Sequence, residues 1–163
     1  MFKRILFIGL GGAGQRHLRL FKENLADKNV EFIAYRSTNK TPLLNPDFSV
    51  NQEESIEDVY QIKVYNNLEE ALALKPDLVV ISTPSSMHLK YTQLCAEKSI
   101  NVFVEKPLSN STEGLQELKE MAERNKVAIQ VGLQRRFHPH LSKVKEIIKS
   151  GRIGQVLTVN FTV

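Results

Sequence analysis

Short runs of β-branched and aromatic residues alternate along the chain with segments whose apolar residues return every three to four positions, the pattern of strand–helix–strand units that build a parallel sheet. Strands are predicted at 4–8, 30–35, 62–65, 78–82, 101–105 and 127–131. Several, such as Ile5-Leu6-Phe7-Ile8 and Leu78-Val79-Val80-Ile81, are apolar at every position rather than at alternate ones, as strands covered by helices on both faces are. Asn67, with Glu70 after it, opens a predicted helix over 68–74. Asn110 with Glu113 opens another, whose Leu115, Leu118, Met121 and Ala122 share one face. A last helix sets Leu141, Val144, Ile147 and Ile148 on one stripe and stops at Gly151. Residues 155–163 read as one more strand. The expected class is α/β, a doubly wound parallel sheet.

Two segments depart from this pattern. Residues 37–61 are polar and Pro-punctuated where a compact crossover would carry a helix, so an irregular loop with one short turn at 55–59 is expected. The doubly wound sheet is complete near Val131, so the chain divides into a nucleotide-binding domain, 1–133, and a linking helix with the first strand of a mostly absent α+β domain, 134–163.

Composition narrows the class. With 163 residues, 42% hydrophobic and 25% charged, the chain can bury a core without disulfides or a structural metal, which excludes disorder, collagen and coiled coil. Lys+Arg 22 against Asp+Glu 18 gives a net charge of +4, spread along the chain with acids interleaved; no nucleic-acid footprint follows. The one cysteine, Cys95, cannot form an internal bridge, and a reducing, cytoplasmic compartment is expected. No run approaches the roughly 18 apolar residues of a membrane helix, so no membrane partner is expected. The histidines and the cysteine lack ligand spacing, and no metal is expected.

Gly9-Leu10-Gly11-Gly12-Ala13-Gly14 is a G-x-G-x-x-G string directly after an apolar strand and before a helical run. In that context Gly9 allows a tight turn, Gly11 lets the backbone approach a pyrophosphate, and Gly14 lets helix and strand pack closely. The backbone of Gly12 and Ala13 then opens the helix whose positive end meets phosphate. A dinucleotide site of Rossmann type is the first reading; a plain tight turn and an S-adenosylmethionine site are the alternatives. The second strand ends in Tyr35-Arg36-Ser37, where an acid would otherwise bind a ribose 2′-hydroxyl. Arg36 can pair with a 2′-phosphate and Ser37 can add a donor, which favours NADP over NAD; a solvated arginine is the plainer alternative.

Further on, Thr83-Pro84 and His88 follow the fourth strand, Glu105-Lys106-Pro107 follows the fifth, and Gln134-Arg135-Arg136-Phe137-His138-Pro139 follows the sixth. With the glycine turn, these motifs resemble the glucose–fructose oxidoreductase / inositol dehydrogenase / rhizopine-catabolism (Gfo/Idh/MocA) family. The resemblance implies that Lys106 sits at the nicotinamide face as the catalytic residue and also meets the substrate oxygen. It implies that Glu105 orders the nicotinamide side and that Thr83 and Pro84 run along the nicotinamide ribose. His88 would touch cofactor or pack, and Gln134 would present an amide to the nicotinamide end. Arg136, with Arg135 and His138, would meet an anionic substrate group. His17 would pack or cap, and His140 would lie on the surface. Without the resemblance, Lys106 reads as a surface lysine beside a proline and Pro84 as a strand stop.

The implied activity is NAD(P)-dependent hydride transfer to or from a hydroxyl or carbonyl carbon of a sugar, polyol or nucleotide sugar. A non-catalytic dinucleotide sensor is the alternative; the intact Glu105-Lys106-Pro107 favours the enzyme. The family has a second, substrate-shaping domain, so weak or absent turnover is expected for this chain alone, with self-association through the C-terminal strand edge.

Overall fold

The structure is a computed structural model and describes residues 2–38 and 41–160. It falls into two units, Met1–Gly132 and Leu133–Val163.

The first unit opens with β1 (Arg4–Ile8), α1 (Gly12–Asn24) and β2 (Glu31–Tyr35). The connection onward holds β3 (Leu43–Leu44), β4 (Val50–Asn51) and α2 (Ile56–Tyr60), then come β5 (Lys63–Tyr65) and α3 (Leu68–Ala73). The second half runs through β6 (Leu78–Ile81), α4 (His88–Glu97), β7 (Asn101–Val104), α5 (Leu115–Asn125) and β8 (Ile129–Val131). The main sheet is six-stranded and parallel, in the order β5-β2-β1-β6-β7-β8. The chain reverses direction of growth between β1 and β6, and ligands of open α/β sheets bind at such a switch point.

Register decides what stands there. Ile8 pairs with Tyr35 on one side and Ile81 on the other, and Ile81 pairs with Val104. The residues that follow, Gly9, Arg36, Ser82 and Glu105, therefore leave the sheet along one rim. Successive side chains of a strand point to opposite faces, and in β1 both faces are covered. Ile5 and Phe7 pack with Leu18 of α1 in one cluster, Leu6 and Ile8 with Ala71, Leu72 and Cys95 in the other. Cys95 is a buried free thiol that desolvation pushes up to about 12.

Three expectations need correction. Within the expected irregular loop, residues 41–61 carry more order than predicted: β3 and β4 form an antiparallel pair, and α2 stands where the short turn at 55–59 is expected, capped by Ser55, whose Oγ accepts from Asp58 N at 3.0 Å. Ile56 and Tyr60 are buried in the cluster with Phe7 and Leu18, which anchors the segment to the core. Asn110 does not open α5; the helix begins at Leu115 behind Gly114, whose φ of +77° suits the residue without a Cβ. Asn67 does cap α3, its Oδ1 accepting from Glu69 N and Glu70 N.

The second unit holds a 3₁₀ turn at Gln134–Phe137 and α6 (Pro139–Lys149). Residues 155–160 are not a strand, the third correction: β-branched composition makes a strand only with a ladder partner, and these pair with none among the described residues. Residues 161–163 of that prediction lie outside the described residues. Among the described residues, no helix is long and apolar enough to cross a membrane.

Candidate functional site

The glycine turn is built by contacts that leave no room for side chains. Gly9 has φ +91°, and a Cβ there would lie 3.0 Å from the Ser82 carbonyl oxygen and 3.1 Å from Thr83 Cγ2. At Gly14 a Cβ would lie 2.3 Å from the Gly9 carbonyl oxygen and 2.5 Å from Ser82 Oγ. Ser82 Oγ also donates to that carbonyl at 2.7 Å, so strand β6, the turn and helix α1 are joined at one spot. Gly11 is the opposite case: it faces open space, and as capping residue it has no side chain to offer the first-turn N–H groups of α1. That turn also lacks an acid, which leaves the positive end of the helix dipole uncompensated toward the cleft.

The cleft has a volume of about 330 Å³ and is walled by Gly9 and Gly11, by Arg36 and Ser37 after β2, and by Thr83 and Pro84 after β6. Thr83 Oγ1 is buried with no hydrogen-bond partner among the described residues. An orphaned buried hydroxyl is rare in folded proteins. Arg36 is only 6% exposed; its Nη2 donates to the Thr41 carbonyl at 2.7 Å and its Nη1 lies 3.5 Å from Glu57 Oε1. Ser37 is exposed.

Beside the cleft, Glu105 ties α1 to the loop after β7. His17 Nε2 donates to Glu105 Oε1 at 2.7 Å, and Arg16 Nη2 approaches the same oxygen at 3.5 Å. Lys106 N donates to the other oxygen at 3.1 Å. Burial pushes the Glu105 carboxyl up, but the His17 and Lys106 hydrogen bonds and the His17 and Arg16 charges outweigh it and hold the group below its ordinary value. The Lys106 side chain is exposed and does not wall the cleft.

His88 is buried and spans the two loops: Nδ1 lies 2.7 Å from the Pro107 carbonyl oxygen and Nε2 2.8 Å from the Thr83 carbonyl oxygen. It acts as a strut between the Thr83-Pro84 and Lys106-Pro107 segments. Gln134 and Arg136 lie exposed on the 3₁₀ turn of the second unit, as does Arg135, and His138 and His140 face one another with ring centroids 5.0 Å apart.

Sequence reasoning missed several residues. Tyr35 and Tyr91 both line the cleft, and burial, then the facing Tyr35, pushes the Tyr91 phenol up. Gln15 is buried and pins the long connection to α1: its Nε2 donates to the Leu10 and Pro42 carbonyls at 2.9 Å, and its Oε1 accepts from Leu44 N at 2.8 Å. Among the described residues, no group of His, Cys, Asp and Glu could hold a metal ion.

A six-stranded parallel sheet with a glycine turn at its switch point defines a dinucleotide-binding domain of Rossmann type. A sequence profile described as "Oxidoreductase family, NAD-binding Rossmann fold" matches residues 3–133, and the chain belongs to that family, Gfo/Idh/MocA. It is 29% identical over 160 residues to an inositol 2-dehydrogenase of Mycolicibacterium smegmatis, covering 96% of this chain and 43% of the relative. The solved structure of a putative myo-inositol dehydrogenase from Sinorhizobium meliloti superposes with a TM-score of 0.74 at 27% identity, covering 94% of this chain and 43% of that one. WlbA dehydrogenase from Bordetella pertussis, solved with NADH and UDP-GlcNAcA, shares the fold with a TM-score of 0.74 at 22% identity, covering 94% and 41%. The chain spans less than half the length of the curated relatives it matches.

Proposed function

We propose that the chain is the nucleotide-binding half of an NAD(P)-dependent oxidoreductase acting on a hydroxyl or carbonyl carbon of a sugar, polyol or nucleotide sugar. The observation that carries this is the glycine turn at the switch point: a methyl is excluded at Gly14, the space beside Gly11 is open, and Thr83, whose buried hydroxyl has no partner among the described residues, lines the same cleft. These residues fit a dinucleotide. Backbone N–H groups of Gly11, Gly12 and Ala13 would receive the pyrophosphate, and Thr83 with Pro84 would flank the nicotinamide ribose.

The nicotinamide ring, when bound, accepts or donates the hydride. Lys106 Nζ would polarise the substrate carbonyl oxygen or take the hydroxyl proton, and it is the one residue assigned to catalysis. Glu105 positions that lysine through its backbone N–H, and His88 braces the loop on the other side. Gln134 and Arg136 are assigned to the nicotinamide end and to an anionic substrate group. Arg36, at the place where the ribose 2′ position is read, supports a preference for NADP(H), with Ser37 as a second donor. Turnover belongs to a protein in which this half meets a substrate domain; residues 134–163 are assigned as the link to it.

The test is thermal denaturation with NADPH, NADH and S-adenosylmethionine in parallel. A rise in the midpoint with NADPH and NADH, largest for NADPH, and none with S-adenosylmethionine is expected. A shift with none of them contradicts the reading.

A further inference from the structure

The connection between β2 and β5 does more than fill space, because it delivers a carboxylate to the arginine at the end of β2. Glu57 stands in the first turn of α2 and reaches Arg36 Nη1 at 3.5 Å. Its placement is fixed from below. Ile56 and Tyr60, before and after it in the helix, are buried in the core, and Ser55 caps the helix two residues ahead of it. Arg36 is fixed as well, since its backbone N–H donates to the Tyr65 carbonyl at 3.0 Å and its Nη2 to the Thr41 carbonyl. The pair therefore meets by construction, one partner buried and lining the cleft and the other with a side chain 39% exposed.

Where an acid at the end of β2 would accept from a ribose 2′-hydroxyl, this chain has a cation whose charge already faces an anion. A 2′-phosphate arriving at Arg36 must share the guanidinium with Glu57 and is repelled by it; a neutral 2′-hydroxyl is not. We propose that Glu57 is a specificity-determining residue that competes with the 2′-phosphate of NADP(H) for Arg36 and so limits discrimination against NAD(H). This rests on the reading of the cleft as a nicotinamide dinucleotide site with Arg36 at the 2′ position. No β2-end motif reveals it, because the carboxylate arrives from a different element.

The test is titration of the chain with NADPH and with NADH, followed by the fluorescence of the reduced nicotinamide, for wild type, Glu57→Gln and Glu57→Ala. The ratio of the NADH to the NADPH dissociation constant is expected to rise about fivefold in both variants, the scale a partly exposed charge pair commands. In the double variant Arg36→Ala with Glu57→Gln, the gain over Arg36→Ala alone should be clearly smaller, since competition for the guanidinium is gone and only the direct repulsion is left. The gain should also shrink in high salt. An unchanged ratio in both Glu57 variants, with both cofactors bound, overturns the role of Glu57 and leaves the dinucleotide site standing. An equal gain in the Arg36→Ala background overturns the route through Arg36. Binding of neither cofactor to wild type overturns the underlying reading instead.

Discussion

At Gly14, the carbonyl of Gly9 and the hydroxyl of Ser82 crowd the place that a side chain would take at the start of α1. The atom that a methyl would strike first is backbone, which cannot swing aside as the end of a long side chain can. Gly14→Ala is therefore expected to lower stability by about 1–3 kcal/mol, the usual cost of overpacking, and to weaken NADPH binding at least tenfold, as the turn shifts. Gly11→Ala meets no atom of the described residues within 4 Å and should lose much less stability while narrowing the cleft. Melting curves of the two variants check this; the reverse order of stabilities would contradict it. The glycines could be read from sequence because their spacing is a local property. Arg36 was only half readable: its position at the end of β2 was plain, but its partner lies on α2, across a segment that sequence placed in an irregular loop.

At the scale of elements, the sheet strands were legible because their apolar runs are bounded by glycines, prolines and polar turns. The elements that escaped, β3 and β4, are two residues long each and are held in part by Gln15 reaching across from α1, while α2 stands where a short turn was expected at 55–59. Pattern does not report such long-range hydrogen bonds. The start of α5 was misread because Asn110 and Glu113 imitate a capping pair, while Gly114 supplies the conformation that starts the helix. The link between α1 and the loop after β7 is the His17–Glu105 hydrogen bond, and it is sensitive to pH. Glu105 holds its proton less tightly in the folded chain than its ordinary value of 4.5 implies. Its contribution to stability is therefore fully present above that value and is lost as pH falls through the lower folded-state value. Glu105→Gln should lower the thermal midpoint at pH 7, and the gap from wild type should close on acidification below about pH 4.5. A gap that stays constant down to pH 3 would show that the carboxylate charge plays no part.

For the whole molecule, one property organises the rest: parallel register brings Gly9, Arg36, Ser82 and Glu105 to a single rim. The glycine turn, the Thr83 hydroxyl, the Arg36–Glu57 pair and the Lys106 loop are neighbours for that reason, although they come from distant parts of the sequence. A second, larger apolar groove of about 520 Å³ lies along α5 and β8, between Leu115 and Val131, and it competes as a place for a ligand to bind. Backbone amide spectra of the chain titrated with NADPH separate the two sites directly. The largest shifts are expected on Gly9, Gly11, Gly12, Arg36 and Thr83, with Leu118, Ala122 and Ile129 little changed. Shifts centred on α5 and β8 instead, or no response at saturating NADPH, would contradict it.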